Sequence, residues 1–487
     1  MKIVYINPPY GENFVRSARW AARSRGRVQR HPEQALIQIA VLREAGHECR
    51  FIEGAALNLS REEILQQVEE FDPDIAIIHT TTPSIYNDCE YAGLLKRKGA
   101  IKTVLVGAHA SAVPENTFDI AGDAVDYIVR GEADYTLRDI AEGKPPKEIQ
   151  GISFKDKGEV IHNSSRPLLD VNELPFPAWD LIDPRWYHDA GKLYPFITLY
   201  TGRGCHGKCT FCRETQVING SKLRMRSPDK VIAEMEYVLS MFPYLREIMF
   251  ETDTFTAVPG HVRGVCEKIL EKGIHKQVRW SCNVRVDIQP ELLPLMKKAG
   301  CRMLMIGFEF GTNKQLESVK KETTIETARR FAHQAHSLGF TLHGCFMIGA
   351  PGETPESAQK TIDFAKSLPL DTIQISGVVV YPGTEFYEWA RDNDFLVPDD
   401  WTGWVNESCE QATVLNYPQM SKETIDYYID KGLREFYLRP RQIMKMLFSI
   451  RSAGDILRKF YGIKSFFSYF MQGKKKKNED SGNCSRT

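Results

Sequence analysis

The sequence has no excess of either charge, because 63 Lys and Arg residues are matched by 63 Asp and Glu residues in a chain of 487. A chain with balanced charge lacks the strongly basic surface that is typical of proteins whose main partner is nucleic acid, so we do not expect such a partner. Hydrophobic residues make up 42% and charged residues 26%, which is the composition of a globular protein and not of a disordered one.

Long hydrophobic runs are also missing. The apolar run after Met1 stops at Pro8 and Pro9 and is too short for a signal peptide. No window reaches the roughly 18 apolar residues that a membrane span needs. We therefore expect a cytoplasmic protein, and its length predicts roughly two or three domains.

Cysteine is sparse and unevenly distributed. Of 11 cysteines, three lie within eight residues and the others are scattered singly. In a reducing compartment, such a local group more often binds metal than forms disulfides. The scattered cysteines are expected to be small buried side chains.

Residues 1–145 alternate apolar runs with helical patterns, which predicts an α/β fold with a doubly wound, Rossmann-like parallel sheet. The predicted strands are Ile3 to Ile6, Glu48 to Ile52, Ile75 to His79, Thr103 to Val106 and Tyr127 to Val129. Ligands of such sheets bind at the carboxyl ends of the strands. The loops there are rich in small and hydroxylated residues, so a large ligand can approach the backbone closely.

Residues 146–194 contain a hairpin-like piece and a proline-rich stretch, and we interpret them as a linker. A second alternation over 195–400 predicts a partial (β/α)6 TIM-type barrel, with its chemistry at the carboxyl ends of the strands. Its strands are predicted near Phe196 to Tyr200, Glu247 to Glu251, Val278 to Cys282, Met303 to Phe308, Thr341 to Ile348 and Thr372 to Val380. Residues 401–472 are predicted to be a helical region and 473–487 a disordered tail.

The local cysteine group follows the first predicted barrel strand. Cys205, Cys209 and Cys212 have the spacing C-x-x-x-C-x-x-C. Three thiolates at this spacing can ligate three irons of a 4Fe-4S cluster and leave the fourth iron open. The alternative is a structural zinc site, which needs four ligands and has only His206 nearby to complete it.

This motif, with Phe211 before its last cysteine, resembles that of the radical S-adenosylmethionine (SAM) superfamily. A doubly wound domain before the barrel resembles the cobalamin-binding members of that superfamily, which include class B methyltransferases, anaerobic cyclases and hopanoid-associated enzymes. The resemblance implies three cofactors: a 4Fe-4S cluster on the three cysteines, SAM and cobalamin.

The resemblance also implies SAM-binding residues at the ends of the barrel strands. Glu251 or Asp253 is expected to bind the ammonium group, Arg285 the carboxylate, and Glu309 the ribose or amino-acid end. Phe310 stands where the family's pattern has serine. The positions carried over are Phe211, Glu251, Asp253, Arg285, Glu309 and Gly349. Arg285 is equally expected in a surface ion pair, and Gly349 in an ordinary turn.

Cobalamin contacts are expected in the loops of the first domain. The positions carried over are Pro8, Thr81, Ser84, Gly107, His109, Gly131 and Glu132. The chain has no Asp-x-His-x-x-Gly motif, which implies base-off binding without a histidine ligand. An alternative is that the domain keeps its fold but binds no corrin. A methylthiotransferase is disfavoured, since only Cys49 and Cys89 are available for the further cluster that its first domain would carry.

Two basic segments have two interpretations each. The six arginines of residues 16–30 form either a lid over an anionic substrate or the corrin phosphate, or a solvated helical face. Aromatic and basic residues from Phe436 to Phe470 either contact an anionic membrane surface or, in their first half, pack on the barrel.

As the resemblance implies, SAM is cleaved reductively to a 5′-deoxyadenosyl radical, most simply for methylation of an unactivated carbon in a small molecule or lipid. The runner-up is oxidative cyclisation or rearrangement in tetrapyrrole or lipid biosynthesis. A non-catalytic cobalamin sensor is disfavoured by the intact cysteine triad. An external electron donor of the flavodoxin or ferredoxin type is implied, and no catalytic side chain is identified.

Overall fold

The computed structural model describes residues 1–24 and 28–448, and they form two parallel sheets with a helical C-terminal part. The strands of the first half are β1 (Lys2–Asn7), β2 (Phe14–Val15), β3 (Ala22–Arg23), β4 (Glu48–Glu53), β5 (Ile75–His79), β6 (Lys102–Val106), β7 (Tyr127–Val129), β8 (Ile152–Asp156) and β9 (Glu159–His162). Those of the second half are β10 (Phe196–Leu199), β11 (Gly202–Arg203), β12 (Arg224–Met225), β13 (Glu247–Phe250), β14 (Arg279–Val284), β15 (Cys301–Glu309), β16 (Thr341–Ile348) and β17 (Thr372–Gly377).

Helices follow most strands. The first half contains α1 (Glu33–Glu44), α2 (Gly54–Leu57), α3 (Arg61–Phe71), α4 (Ile85–Lys98), α5 (Ala108–Ala112), α6 (Pro114–Ala121) and α7 (Asp134–Ala141). The second contains α8 (Pro228–Met241), α9 (Pro259–Glu271), α10 (Ile274–Gln277), α11 (Leu292–Lys298), α12 (Asn313–Ser318), α13 (Ile325–Ser337), α14 (Pro355–Ser367), α15 (Glu385–Asp392), α16 (Lys422–Tyr437) and α17 (Pro440–Phe448).

The first sheet has the strand order β4-β1-β5-β6-β7-β8-β9. Its central strands are apolar and buried throughout, as β1 is from Ile3 to Ile6, because helices cover both faces of a parallel sheet. The chain leaves β1 toward one edge and returns to its other side with β5. The carboxyl ends of β1 and β5 therefore flank the crevice where a doubly wound sheet binds ligands.

The hairpin of β8 and β9 belongs to the first sheet. Both strands are antiparallel, and β8 pairs with β7 through Val129 and Ile152. Residues of the predicted linker thus extend the sheet by two strands. The linker and the domain boundaries stay predictions.

The second sheet has six parallel strands in the order β10-β13-β14-β15-β16-β17, as a partial barrel requires. Each predicted barrel strand overlaps one of these. Alternate residues of β15 and β16 are buried in the core, and those between them are only partly buried and face the other side of the sheet. The predicted fold class, a Rossmann-like domain followed by a partial barrel, is confirmed.

The C-terminal part is helical from Lys422 onward, whereas residues 405–420 contain only isolated bridges and turns. Helix α16 packs on the barrel: Phe436 is fully buried, and the Tyr437 hydroxyl bonds both backbone groups of Ile373 at 2.7 and 2.9 Å. Packing on the barrel is therefore confirmed for the start of the aromatic segment. The described residues end at 448. They therefore leave out the rest of the region predicted to be helical, most of the aromatic segment and the tail from 473. Within residues 1–24 and 28–448, no helix is long and apolar enough to cross a membrane.

Candidate functional site

A cavity of about 780 Å³, including its opening to solvent, lies where the carboxyl ends of the two sheets meet. The first sheet contributes Asn7 after β1, Thr80 and Thr81 after β5, and Gly107 after β6. The barrel contributes Tyr200, Glu214, Glu251 and Asp253, and residues 16–19 and 31–35 complete the wall.

The cysteine loop runs from β10 to a π-helical turn at Glu214–Ile218. Cys205, Cys209 and Cys212 are all free thiols on this one loop. The exposed Gln216 amide donates to the carbonyl oxygens of Cys209, Thr210 and Cys212 at 3.1–3.2 Å. Sequence reasoning missed this side chain, which organises the loop without touching a thiol.

Two cations lie near the thiols, one after β14 and the other after α12. Arg285, which follows β14, lies beside the loop so closely that a Cβ on Gly207 would be 2.7 Å from its Nη1. Lys321 forms a 2.8 Å ion pair with Glu309. Burial raises the pKa of Cys209 to about 11, with Glu309 and Cys212 adding to the effect and Lys321 opposing it. Ligation of iron must therefore release a proton from this thiol.

The two carboxylates after β13 differ in their surroundings. Asp253 accepts hydrogen bonds from the Gly204 amide at 2.9 Å and from Asn219 at 3.1 Å. Glu251 has one oxygen without a hydrogen-bond partner, and its nearest cation is Arg30 at 3.6 Å. Asp253 thus holds the start of the cysteine loop, while Glu251 lines the cavity beside Arg30 with one oxygen that accepts no hydrogen bond.

The other predicted SAM residues lie at strand ends of the same barrel. Phe211 packs, partly buried, on the barrel core. Glu309 ends β15 in the left-handed region at φ 63°, paired with Lys321. Gly349 follows β16. Its amide donates a hydrogen bond to Glu353, and its carbonyl oxygen accepts one from the Tyr417 hydroxyl at 2.9 Å. Arg285 is paired with Asp287 at 3.1 Å, but its side chain is buried and not at the surface as the ion-pair alternative expected.

Of the predicted cobalamin residues, Thr81 and Gly107 line the cavity. Gly107 has φ +118°, and a Cβ there would be 2.4 Å from the Thr80 carbonyl oxygen, so only glycine allows the two loops this approach. Pro8 follows the cavity residue Asn7.

The remaining predicted cobalamin residues are engaged elsewhere. The Ser84 hydroxyl bonds Asp88 at 2.7 Å, and the Glu132 carboxylate binds Arg224 through two 2.8 Å contacts. His109 is buried against Trp401, with ring centroids 4.8 Å apart, and burial lowers its pKa to about 3. Gly131 donates its amide to Ser111 at 3.1 Å. None of these four residues lines the cavity.

The arginine-rich segment is not a solvated helix in its described part. Arg16 is fully buried in an ion pair with Asp88 at 2.8 Å, and Arg30 binds Asp189 at 2.6 Å with 8% of its side chain exposed. The helical-face interpretation is therefore wrong for these two residues. Arg25 and Arg27 lie outside the described residues.

Two buried polar groups in the cavity wall were missed by sequence reasoning. Asn7 and Glu33 are 4% and 3% exposed, and one side-chain oxygen of each has no hydrogen-bond partner. Burial raises the pKa of Glu33 well above its ordinary range, and Glu251 adds to the effect. A carboxylic acid and an amide oxygen are thus available to a polar ligand in the cavity. An isolated Asn or Glu in the sequence carries no signal of this.

The donor sets fit the implied cofactors. Three thiols on one loop suit a cluster in which each ligates a different iron. In the described part of the chain, no three His, Cys, Asp or Glu side chains are arranged for a single metal ion. The cavity combines a floor of small residues with unpartnered polar atoms, which suits a large ligand with many amide groups.

Comparisons with known proteins agree with this arrangement. The sequence model of the radical SAM superfamily matches residues 199–365, and that of the B12 binding domain matches residues 29–141. An uncharacterized methyltransferase of Pyrococcus horikoshii is 30% identical over 443 residues, which cover 88% of this chain and 94% of that protein. This chain belongs to the cobalamin-dependent radical SAM methyltransferase family.

Two further proteins that resemble this chain are informative. The anaerobic magnesium-protoporphyrin IX monomethyl ester cyclase of Cereibacter sphaeroides is 25% identical, with 80% of this chain and 64% of the cyclase covered. The structure of the radical SAM methyltransferase TsrM of Kitasatospora setae, with cobalamin and a [4Fe-4S] cluster bound, matches with a TM-score of 0.71. It is 14% identical, with 96% of this chain and 99% of that chain covered, and shows the shared fold. The family's cofactors are the 4Fe-4S cluster, SAM and cobalamin, and the expectation of all three is confirmed.

Proposed function

We propose that this protein methylates an unactivated carbon of a small-molecule or lipid substrate. The observation that carries the proposal is the single cavity bounded by the carboxyl ends of both sheets. Cobalamin on the first sheet and SAM on the barrel would face each other across it. When bound, one molecule of SAM would supply a 5′-deoxyadenosyl radical on reductive cleavage, and a second molecule would supply the methyl group through cobalamin.

The residues of this chain bind and orient the cofactors. We assign the cluster to Cys205, Cys209 and Cys212, and SAM to the barrel residues carried over above. Among these, Glu251 is our candidate for the ammonium group, because its residue lines the cavity and one of its oxygens accepts no hydrogen bond. Thr81 and Gly107 are the cobalamin assignments that the cavity supports best. An external one-electron donor of flavodoxin or ferredoxin type completes the proposal.

Iron, sulfide and corrin content after anaerobic purification with cobalamin tests the cofactor set. We expect about four irons and one cobalamin per chain. Replacing Cys205, Cys209 and Cys212 together by alanine should abolish SAM cleavage and leave the corrin content unchanged, because the thiols lie on the barrel side. Cleavage by the triple variant would contradict the assignment.

Transfer of a deuterated methyl group from labelled SAM into products of cell extracts tests the reaction. Products that carry the intact label support methylation. The likeness to the cyclase favours one second candidate, an oxidative cyclisation. A product that has lost hydrogen and carries no label would favour this candidate.

We also propose a peripheral contact with an anionic membrane through the C-terminal part. On and beside α17, Leu438, Ile443 and Met444 are 44–53% exposed, and Arg441 and Lys445 lie among them. Apolar and basic side chains on one short surface suit an anionic bilayer. Sedimentation with anionic and neutral vesicles tests this: binding to neither, or equal binding by an Ile443→Ser, Met444→Ser variant, would contradict it.

A further inference from the structure

Residues 16–19 connect the floor of the cavity to both arms of the cysteine loop. The connection begins at Arg16, whose fully buried guanidinium bonds Ser84 at 2.9 Å and Asp88 at 2.8 Å. The same Asp88 oxygen accepts the amide of the cavity residue Thr81 at 3.3 Å. A buried ion pair of this kind is costly to break on one side, so Arg16 is firmly attached to the loop after β5.

The second attachment lies after β13 and reaches the first arm of the cysteine loop through Asp253. Arg19 donates to the Thr252 carbonyl at 3.1 Å and lies 3.6 Å from Asp253. Asp253 in turn accepts the amide of Gly204, the residue before Cys205. Arg19 is thereby one contact away from the backbone that positions the first cluster ligand.

The third attachment lies on the second arm. Arg213, directly after Cys212, donates to the carbonyl oxygen of Ala18. Its guanidinium also lies over the Tyr381 ring at 5.2 Å, and the Tyr381 hydroxyl accepts the Ala21 amide at 3.3 Å. The second arm of the loop is therefore bonded directly to this short stretch of chain, and the first arm is connected to it through Asp253.

The three attachments are closely spaced. From Arg16 to Arg19 an extended chain reaches at most about 11 Å. A displacement of the loop after β5 therefore moves the contacts to the cysteine loop as well. The nearby Asp253 and Glu251 raise the pKa of the Arg19 guanidinium, whose side chain is 40% exposed, so its contact to Asp253 is a charged one.

We propose that residues 16–19 form a positioning segment through which cobalamin in the cavity alters SAM binding at the cluster loop, with Arg19 as the positioning residue. Cobalamin bound at Thr81 would fix the loop after β5 and, through Asp88, the position of Arg16. Arg16 would then keep Ala18 and Arg19 in place beside the cysteine loop. The inference rests on the proposed function for its use of cobalamin. Binding at one cofactor site then changes affinity at the other, and the effect is reciprocal.

The experiment uses full-length, cluster-loaded protein with and without added cobalamin. It compares wild type, Arg19→Met and the control Arg61→Met, which removes an exposed arginine paired with Glu90 at 2.6 Å on α3. The readouts are the dissociation constant of SAM, from equilibrium dialysis, and the electron paramagnetic resonance spectrum of the reduced cluster with SAM bound.

We expect cobalamin to change the SAM dissociation constant of wild type and Arg61→Met by at least about fivefold. In Arg19→Met the constant and the spectrum should no longer respond to cobalamin, although both cofactors still bind. An unaltered response in Arg19→Met, or no response in wild type, overturns the inference.

Two further outcomes are decided by the same readouts. If Arg19→Met loses its cluster, Arg19→Lys is used in its place. Lysine can reach Thr252 or Asp253 but has fewer donors than the guanidinium. A reduced response of this variant to cobalamin supports the inference, and a full response overturns it. If wild type takes up no cobalamin, the proposed function fails. The inference is then overturned only if the SAM-bound cluster spectrum of Arg19→Met equals that of wild type.

Discussion

The carboxyl ends of the two sheets face one cavity but have different chemistry. On the first sheet, Thr80, Thr81, Gly107 and Ala108 form an uncharged floor of small side chains. On the barrel, the strand ends carry charged groups, among them Glu251 and the pair of Glu309 with Lys321. A flat floor lets backbone approach a large ligand, whereas fixed charges orient a small zwitterion. The difference predicts that shape governs one cofactor and charge the other.

The largest expected effect comes from filling the floor. Gly107→Val adds a Cβ that would be 2.4 Å from the Thr80 carbonyl, at a φ of +118° that disfavours side chains. The Thr80 loop must move into the cavity. We expect the affinity for cobalamin to fall at least about tenfold, equivalent to about 1.4 kcal/mol, with iron content unchanged. Corrin and iron analysis of the purified variant measures both.

Gly99→Ala is the matched control, since the added Cβ has no neighbour within 4 Å. It should keep wild-type cobalamin and iron. Normal corrin uptake by Gly107→Val would show that shape does not govern this side of the cavity.

A smaller effect is expected from removing one charge on the barrel side. Glu251→Gln keeps the shape but loses the carboxylate that faces the cavity. We expect the KM for SAM to rise about tenfold, because an ion pair to the ammonium group becomes a neutral hydrogen bond. Steady-state measurement of SAM cleavage gives this value.

Cobalamin affinity should be unchanged in Glu251→Gln, which separates the two sides of the cavity. Glu236→Gln, on the surface helix α8, serves as control. An unaltered KM would assign the ammonium group to another carboxylate, with Asp253 next.

The effect that bears least on the two cofactors concerns stability. Burial depresses the pKa of His109 to about 3, so this residue binds a proton in the unfolded chain before it does so in the folded one. Stability from this residue is complete above about pH 6.5 and is lost as the pH falls toward 3. Within this window, the free energy of unfolding should fall by up to about 1.4 kcal/mol per pH unit for this group.

His109→Gln should remove that contribution to the slope, measured by denaturant unfolding between pH 7 and 5. Replacing the exposed His333 by glutamine should leave the slope as in wild type. Equal slopes in His109→Gln and wild type would show that His109 does not titrate in this way.

Much of the fold could be predicted because strands buried in a parallel sheet are continuous apolar runs between helical patterns. All six barrel strands and the five strands of the first alternation are found near the predicted positions. The sequence predicts the hairpin of β8 and β9 as a local feature. It does not predict the pairing of β8 with β7, because that pairing depends on where the edge of the first sheet lies. The three proposed cluster ligands could be named from the sequence because all three lie in one local motif.

From sequence, the chemistry of single loops was decided: the cysteine spacing, the glycines and the absence of a cobalt-ligating histidine motif. Only the tertiary structure decided which polar residues are free. Glu132 and Asp253 look like Glu251 in sequence, but the first two accept hydrogen bonds from partners distant along the chain, whereas one oxygen of Glu251 accepts none. Burial makes an unpaired polar group costly, so the fold pairs most of them, and those left without a hydrogen-bond partner include Asn7, Glu33 and Glu251 in the cavity wall.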